Sequence, residues 1–166
     1  MLFVEIQINE EMMIKIITKK LLEATSNKAK ESSRLRMNHN FHEDLNDPVN
    51  RMLNALEPDT YLRPHRHQTP PKDEVYIVLE GDLDVLIFDD CGNIIQRENL
   101  NPQKGKYGVD IPAGVWHSMI VNKSGTVIYE AKAGPFAPLL SEDFASWSPD
   151  PEDEEQIRNF FEKYSR

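Results

Sequence analysis

Cysteine occurs once in these 166 residues, at Cys91. A single thiol excludes an intrachain disulfide and makes the cytoplasm the expected compartment. Its setting, the turn-like segment Asp89-Asp90-Cys91-Gly92-Asn93, does not suit a catalytic nucleophile. Basic residues are scarce too: 19 Lys and Arg stand against 28 Asp and Glu, for a net charge of −9. A surface of that sign repels a phosphate backbone, so nucleic acid is not an expected partner. No apolar run approaches the roughly 20 residues of a membrane span. Glu5, Glu10 and Glu11 precede the first lysine, Lys15, unlike the basic opening of a secretory leader. No signal peptide and no membrane association are expected.

A chain of this length suits one domain, since about 150 residues bury roughly 68–70% of the unfolded chain's surface. From Asn9 to about Lys30, the apolar positions Met13, Ile17, Leu21 and Ala24 mark one helix face, with Asn9 as the expected N-cap. Arg34 to Phe41 reads as polar and irregular, and Val49 to Leu56 as apolar again. From Tyr61 onward the pattern is one of strands: Glu74 to Glu80, Leu83 to Phe88, Val109 to Ile111, His117 to Val121 and Val127 to Lys132. A hairpin loop is expected between Phe88 and Ile94. Many short strands separated by turns point to a sandwich or barrel. After Pro149 a charged helix is expected to about Tyr164, and the acidic run Asp150 to Glu155 suits its start. The expected division is residues 1–45, a helix and connecting segment packed on the barrel; 46–148, the β-barrel; and 149–166, the closing helix. All belong to one structural domain.

Two groups of ligand-type residues stand beside strand-like sequence. His65-Arg66-His67 is followed by Glu74, and Pro112-Ala113-Gly114-Val115-Trp116-His117 comes later. Strand side chains alternate faces, so His65 and His67 point the same way, as do Tyr61 and Arg63. Tyr76 and Val78 share the face of Glu74; Met119 and Val121 share that of His117. One isolated histidine would fit a polar barrel interior. Three at matched strand positions, with a carboxylate, point to one divalent transition metal such as Fe, Mn, Ni or Zn. An octahedral ion so held keeps two positions open, whereas structural zinc closes at four ligands, commonly cysteines that this chain lacks.

At these residues the chain resembles the cupin superfamily, through His65-x-His67, the Glu74 to Gly81 spacing and Pro112-x-Gly114-x-x-His117. It departs where six residues separate His67 from Glu74, where Asp59 replaces an early Gly, and where Val121 replaces a late Asn. It is more closely similar to the WbuC family of cupin-fold metalloproteins, which is associated with O-antigen biosynthesis clusters. That likeness is carried by Arg34-Leu35-Arg36, Asn38 to His42, Arg51 to Leu56, Tyr61 to His67, Phe88-Asp89-Asp90, Gly134-Pro135-Phe136 and Phe144 to Trp147. It implies a mainly-β fold, a cupin-type double-stranded β-helix or jelly-roll barrel, with an N-terminal helix and a short C-terminal helix. It also implies a bound divalent metal and a homodimer.

The expected ligands are His65, His67, Glu74 and His117. The resemblance places Asn38, His39, Asn40 and His42 near the barrel mouth, with Asn38 and His39 contacting substrate hydroxyls and His42 as spare acid or base. Arg63 is expected to orient an anionic group beside the metal. Tyr76 is a further substrate contact, and Lys132, sharing a face with Glu130, a holder of carboxylate or phosphate. The leading function is Lewis-acid isomerisation or proton transfer on a small polar metabolite, such as a sugar or nucleotide-sugar of surface-polysaccharide synthesis. An iron-dependent dioxygenase and a non-catalytic metal-dependent sensor are the alternatives.

Overall fold

In a computed structural model, which describes residues 14–164, eight strands form two antiparallel sheets, and one helix packs on the outside of each. The first helix, α1, spans Lys19–Glu31; strands follow as β1 (Arg36–Asn40), β2 (Val49–Leu56), β3 (Glu74–Glu80), β4 (Leu83–Phe88), β5 (Ile94–Leu100), β6 (Gly108–Ile111), β7 (Trp116–Val121) and β8 (Thr126–Ala133), and α2 (Glu154–Tyr164) closes the chain. The larger sheet runs β1-β2-β8-β3-β6 and the smaller β5-β4-β7. This is the expected jelly roll.

Between the sheets lies a core that includes Leu56, Val78, Leu83, Val85, Leu100, Ile111, Met119, Val121 and Ile128. Strand β2 is buried on both faces, because its other side meets α1 through Leu53 and Ala55. On the opposite side of the molecule, Phe160 and Tyr164 of α2 pack on Leu86, Phe88 and Ile120. Residues facing outward from the smaller sheet thus find an apolar cover.

The start of α1 differs from expectation. Thr18 is the N-cap, its side chain accepting from the Leu21 amide at 3.2 Å, and residues 14–18 are not helical. Asn9 lies outside the described residues. Nor is Ala24 on the packed face: α1 buries Thr25, Ser26 and Ala29, whose small side chains let it approach the sheet closely. Lys28 and Lys30 occupy its last turn, where they complement the helix dipole.

Arg36 to Asn40, read as irregular, is strand β1, paired antiparallel with β2 from Arg36↔Leu56 to Asn40↔Met52. Its alternation was hidden because the inward face, Arg36, Asn38 and Asn40, is polar and lines a cavity, while Met37 packs outward toward α1. The Phe88–Ile94 hairpin is as expected. Asp89 Oδ1 accepts from the Cys91 and Asn93 amides at 2.9 and 2.8 Å.

Candidate metal centre

The histidine-bearing segment before β3 is not part of a long ladder. It zips onto β7, the edge of the smaller sheet, through His65 N to His117 O at 3.1 Å and His117 N to His65 O at 2.9 Å. The Gly114 amide donates to His67 O at 3.1 Å. Gly114 has φ of +79°, a left-handed conformation that glycine adopts without steric cost. These backbone bonds bring the two motifs together, and β3 delivers Glu74 from the facing sheet.

One potential ligand atom from each of His65, His67, Glu74 and His117 lies within 4.8 Å of all the others. The Nδ1 atoms of His65 and His117 donate to the carbonyls of Arg63 and Val115, at 3.0 and 2.9 Å. A carbonyl only accepts, so each Nδ1 carries the proton and each Nε2 presents a lone pair to the cluster. Glu74 Oε1 is 2.9 Å from His67 Nε2 and Oε2 is 3.2 Å from His117 Nε2. His67 Nε2 is buried, yet among the described residues it has no hydrogen-bond partner of acceptable geometry. A buried ring nitrogen without a hydrogen-bond partner is one that a cation would satisfy. The donor set of three imidazoles and one carboxylate fits a divalent first-row ion.

The electrostatics agree with that fit. Burial pushes the Glu74 carboxyl up, but the neighbouring His117 and His67 rings and the Lys132 charge outweigh it and hold the group well below the usual carboxylate range. Burial, joined by the neighbouring His117, keeps His65 well below the ordinary imidazole value, so its ring is neutral as a ligand requires. The Tyr76 hydroxyl donates to Glu74 Oε2 at 2.6 Å. Lys132 Nζ lies 2.8 Å from Glu74 Oε1 and 2.8 Å from Glu130 Oε1. Burial draws Lys132 down, yet the two carboxylates hold it above its ordinary value. Glu130 is raised, by burial first, against the opposing pull of Lys132.

The cluster opens onto a cavity of 260 Å³. His65, Glu74, Tyr76, Glu130 and Lys132 form part of its wall, Arg34, Arg36, Asn38, Asn40 and His42 another part, and apolar side chains, among them Met52, Leu62, Met119 and Phe136, a third.

Against that geometry, comparison with known proteins places the chain. A family model described as "Domain of unknown function (DUF6016)" matches residues 17–100. The chain belongs to that family. No curated protein matches the sequence. Among solved structures, TT1209 from Thermus thermophilus is 21% identical with a TM-score of 0.51, over 72% of this chain and 97% of that one. KdgF from Halomonas sp. is 12% identical with a TM-score of 0.48, over 61% and 82%. The Cnp3 cupin domain of Schizosaccharomyces pombe is 9% identical with a TM-score of 0.45, over 59% and 64%. The likeness to TT1209 is one of fold.

In this DUF6016 member, the residues singled out from sequence divide clearly. Asn38, His42, Tyr76 and Lys132 line the cavity. His42 Nδ1 is anchored by the Arg51 amide at 3.1 Å. His39 points to the other face of β1, edge-on to Phe41 at 5.2 Å. Arg63 is not in the cavity wall: its Nε donates to Ser148 Oγ at 2.9 Å and its guanidinium lies over Phe144 at 5.1 Å. Tyr61 likewise turns to α2, 5.4 Å from the Phe160 ring. Sequence reasoning missed Arg34, Arg36, Asn50 and Asn54, all of which line the cavity. The spacing of Arg36, Asn38 and Asn40 was itself a signal, a polar period of two along an extended segment.

Proposed function

We propose that this chain is a metal-dependent cupin that acts on a small, oxygen-rich, polar metabolite. His65, His67, Glu74 and His117 hold the ion. The observation that carries this reading is that His65 and Glu74 of the ligand cluster face a cavity of mixed polar and apolar lining instead of being sealed, whereas structural metal sites close around their ion. When bound, a divalent metal supplies Lewis-acid polarisation of a substrate carbonyl or hydroxyl, which suits isomerisation or a related proton transfer.

The chain's own groups divide the remaining work. Arg34 and Arg36 place positive charge on the cavity wall for an anionic substrate group, the task first expected of Arg63. Arg36 is held in place by the Tyr61 carbonyl at 2.8 Å. Lys132, engaged by Glu74 and Glu130, fixes the ligand carboxylate instead of holding substrate alone. His42, tied at Nδ1, offers Nε2 as the acid or base. Asn38 and Tyr76 contact the substrate. The resemblance to the WbuC family supports a finer reading: a cytoplasmic homodimer acting on a sugar or nucleotide-sugar in surface-polysaccharide synthesis.

Elemental analysis of protein purified without a metal-affinity tag tests this, comparing wild type with His67→Ala and His117→Ala. Near-stoichiometric metal in wild type, lost in both variants, is the expected result. Iron with substrate-dependent oxygen uptake would convert the reading to a dioxygenase, and saturable ligand binding without product would convert it to a sensor. A metal-free wild type that added ions do not stabilise would overturn it.

A further inference from the structure

Asn50 is the most anomalous polar residue of the cavity wall. It is only 1% exposed, and among the described residues neither Nδ2 nor Oδ1 has a hydrogen-bond partner. Buried side-chain amides are rarely left without partners, because each unmet group costs its desolvation. Asn50 lies on the inward face of β2, directly opposite Lys132 on β8, and Lys132 is directly opposite Glu74 on β3. The three residues form one cross-strand row. At roughly 4.8 Å per strand spacing, the Asn50 and Glu74 backbones are about 10 Å apart, and both side chains look into the same cavity. Asn54, two inward positions further along β2, donates through Nδ2 to Glu130, which fixes the amide and leaves its buried Oδ1 without a partner.

We propose that Asn50 is a specificity-determining residue that reads hydroxyl groups of the metal-bound ligand, with the Asn54 oxygen as a second acceptor. The deduction rests on the metal-dependent reading above and narrows its substrate class to polyhydroxylated small molecules. An amide offers a donor and an acceptor side by side, and a hydroxyl is the common metabolite group that answers both. A carboxylate or phosphate satisfies only the donor, and an alkyl chain neither. The cavity, at 260 Å³, falls below the roughly 300–1,000 Å³ of drug-sized sites, so the part of the ligand read here is about one monosaccharide in scale.

The test is calorimetric titration of the metal-loaded protein with two six-carbon acids, gluconate and 2-hydroxyhexanoate. Both present the same carboxylate and 2-hydroxyl to a metal, and they differ in the four remaining hydroxyls. Wild type is expected to prefer gluconate by about tenfold or more, the worth of at least one net hydrogen bond. Asn50→Leu should abolish that preference, leave 2-hydroxyhexanoate affinity within about twofold, and leave the thermal midpoint of the ligand-free protein unchanged or higher, since an unmet amide is replaced by an apolar group of similar size. If Asn50→Leu does not fold, Asn50→Ser, which keeps one hydroxyl, should show a partial loss of preference. Equal binding of the two acids to wild type, equal weakening of both by Asn50→Leu, or no binding of either acid to a protein that holds its metal would each overturn the inference while the metal site stands. Absence of metal from wild type overturns the proposed function itself.

Discussion

Tyr76 donates its hydroxyl to Glu74 Oε2 across 2.6 Å, from the same face of the same strand. Burial first, and then the Glu74 and Glu130 carboxylates, push the phenol well above its ordinary value, so it stays a donor under any physiological condition. It therefore orients one ligand oxygen without competing for the metal. Tyr76→Phe keeps the ring and the packing against His117 but removes that bond. Metal affinity is expected to fall about 10- to 100-fold, as for other supports of metal ligands, with the fold retained. Competition against a chelator of known affinity measures it.

Lys132 is the only cation that contacts Glu74 and Glu130 together among the described ion pairs. Replacing it with Met leaves two buried carboxylates without the cation that pairs with both. Removing one partner from a buried pair costs about 3–5 kcal/mol, and the lower end applies here because the Lys132 side chain is 20% exposed. Lys132→Met is expected to destabilise the metal-free protein by about 3 kcal/mol in urea unfolding. Adding metal should recover part of that loss, since the ion neutralises Glu74. A variant as stable as wild type in the absence of metal would show that the pairing is incidental.

Strands β3, β4, β6, β7 and β8 were legible because their inward residues are largely apolar and their turns carry Gly, Asn and Pro, whereas β5, polar through Gln96 to Asn99, was not singled out. Strand β1 was not, since a strand whose inward face is Arg36, Asn38 and Asn40 shows no apolar alternation. The four candidate ligands stood out by their spacing, and the structure brings one potential ligand atom from each of them within 4.8 Å of the others. Extending strand parity back to Arg63 failed, because His65 pairs only as an isolated bridge to His117 and Phe144; parity beyond such a bridge has no ladder to enforce it. Orientation of Glu130 and Lys132 needed the β2-β8-β3 register, which no single strand contains.

Acid should destabilise the metal-free protein in two stages. His65 is held well below its ordinary 6.5, so below about pH 6.5 the unfolded chain takes up a proton that the folded one refuses. Stability then falls as pH drops, because the unfolded state binds more protons. Glu74, held well below its ordinary 4.5, contributes stability that is present above that value and is lost as pH falls through its folded value. Urea midpoints are expected to be flat from about pH 8 to 7, to decline below about 6.5 and to steepen below about 4.5. His65→Gln, which cannot titrate, should shrink the first decline and leave the second. The same decline in His65→Gln as in wild type would place its origin elsewhere.

Gly114 couples the two halves of the site, and its substitution separates positioning from ligation. Its φ of +79° costs a side-chain-bearing residue about 1–2 kcal/mol, and an added Cβ would lie 2.5 Å from the Gln68 side-chain oxygen. That oxygen ends a flexible side chain and can move away, so the backbone term dominates the cost. The Gly114 amide is also the donor to His67 O, so relaxing φ toward negative values would draw His67 away from Glu74. Gly114→Ala is expected to lower stability by about 1–2 kcal/mol and, separately, to weaken metal binding by more than this strain accounts for, although no ligand is removed. Parallel urea unfolding and chelator competition distinguish the two effects. Affinity that falls only in proportion to stability would mean that His67 is positioned by its own segment and not by the turn that follows β6.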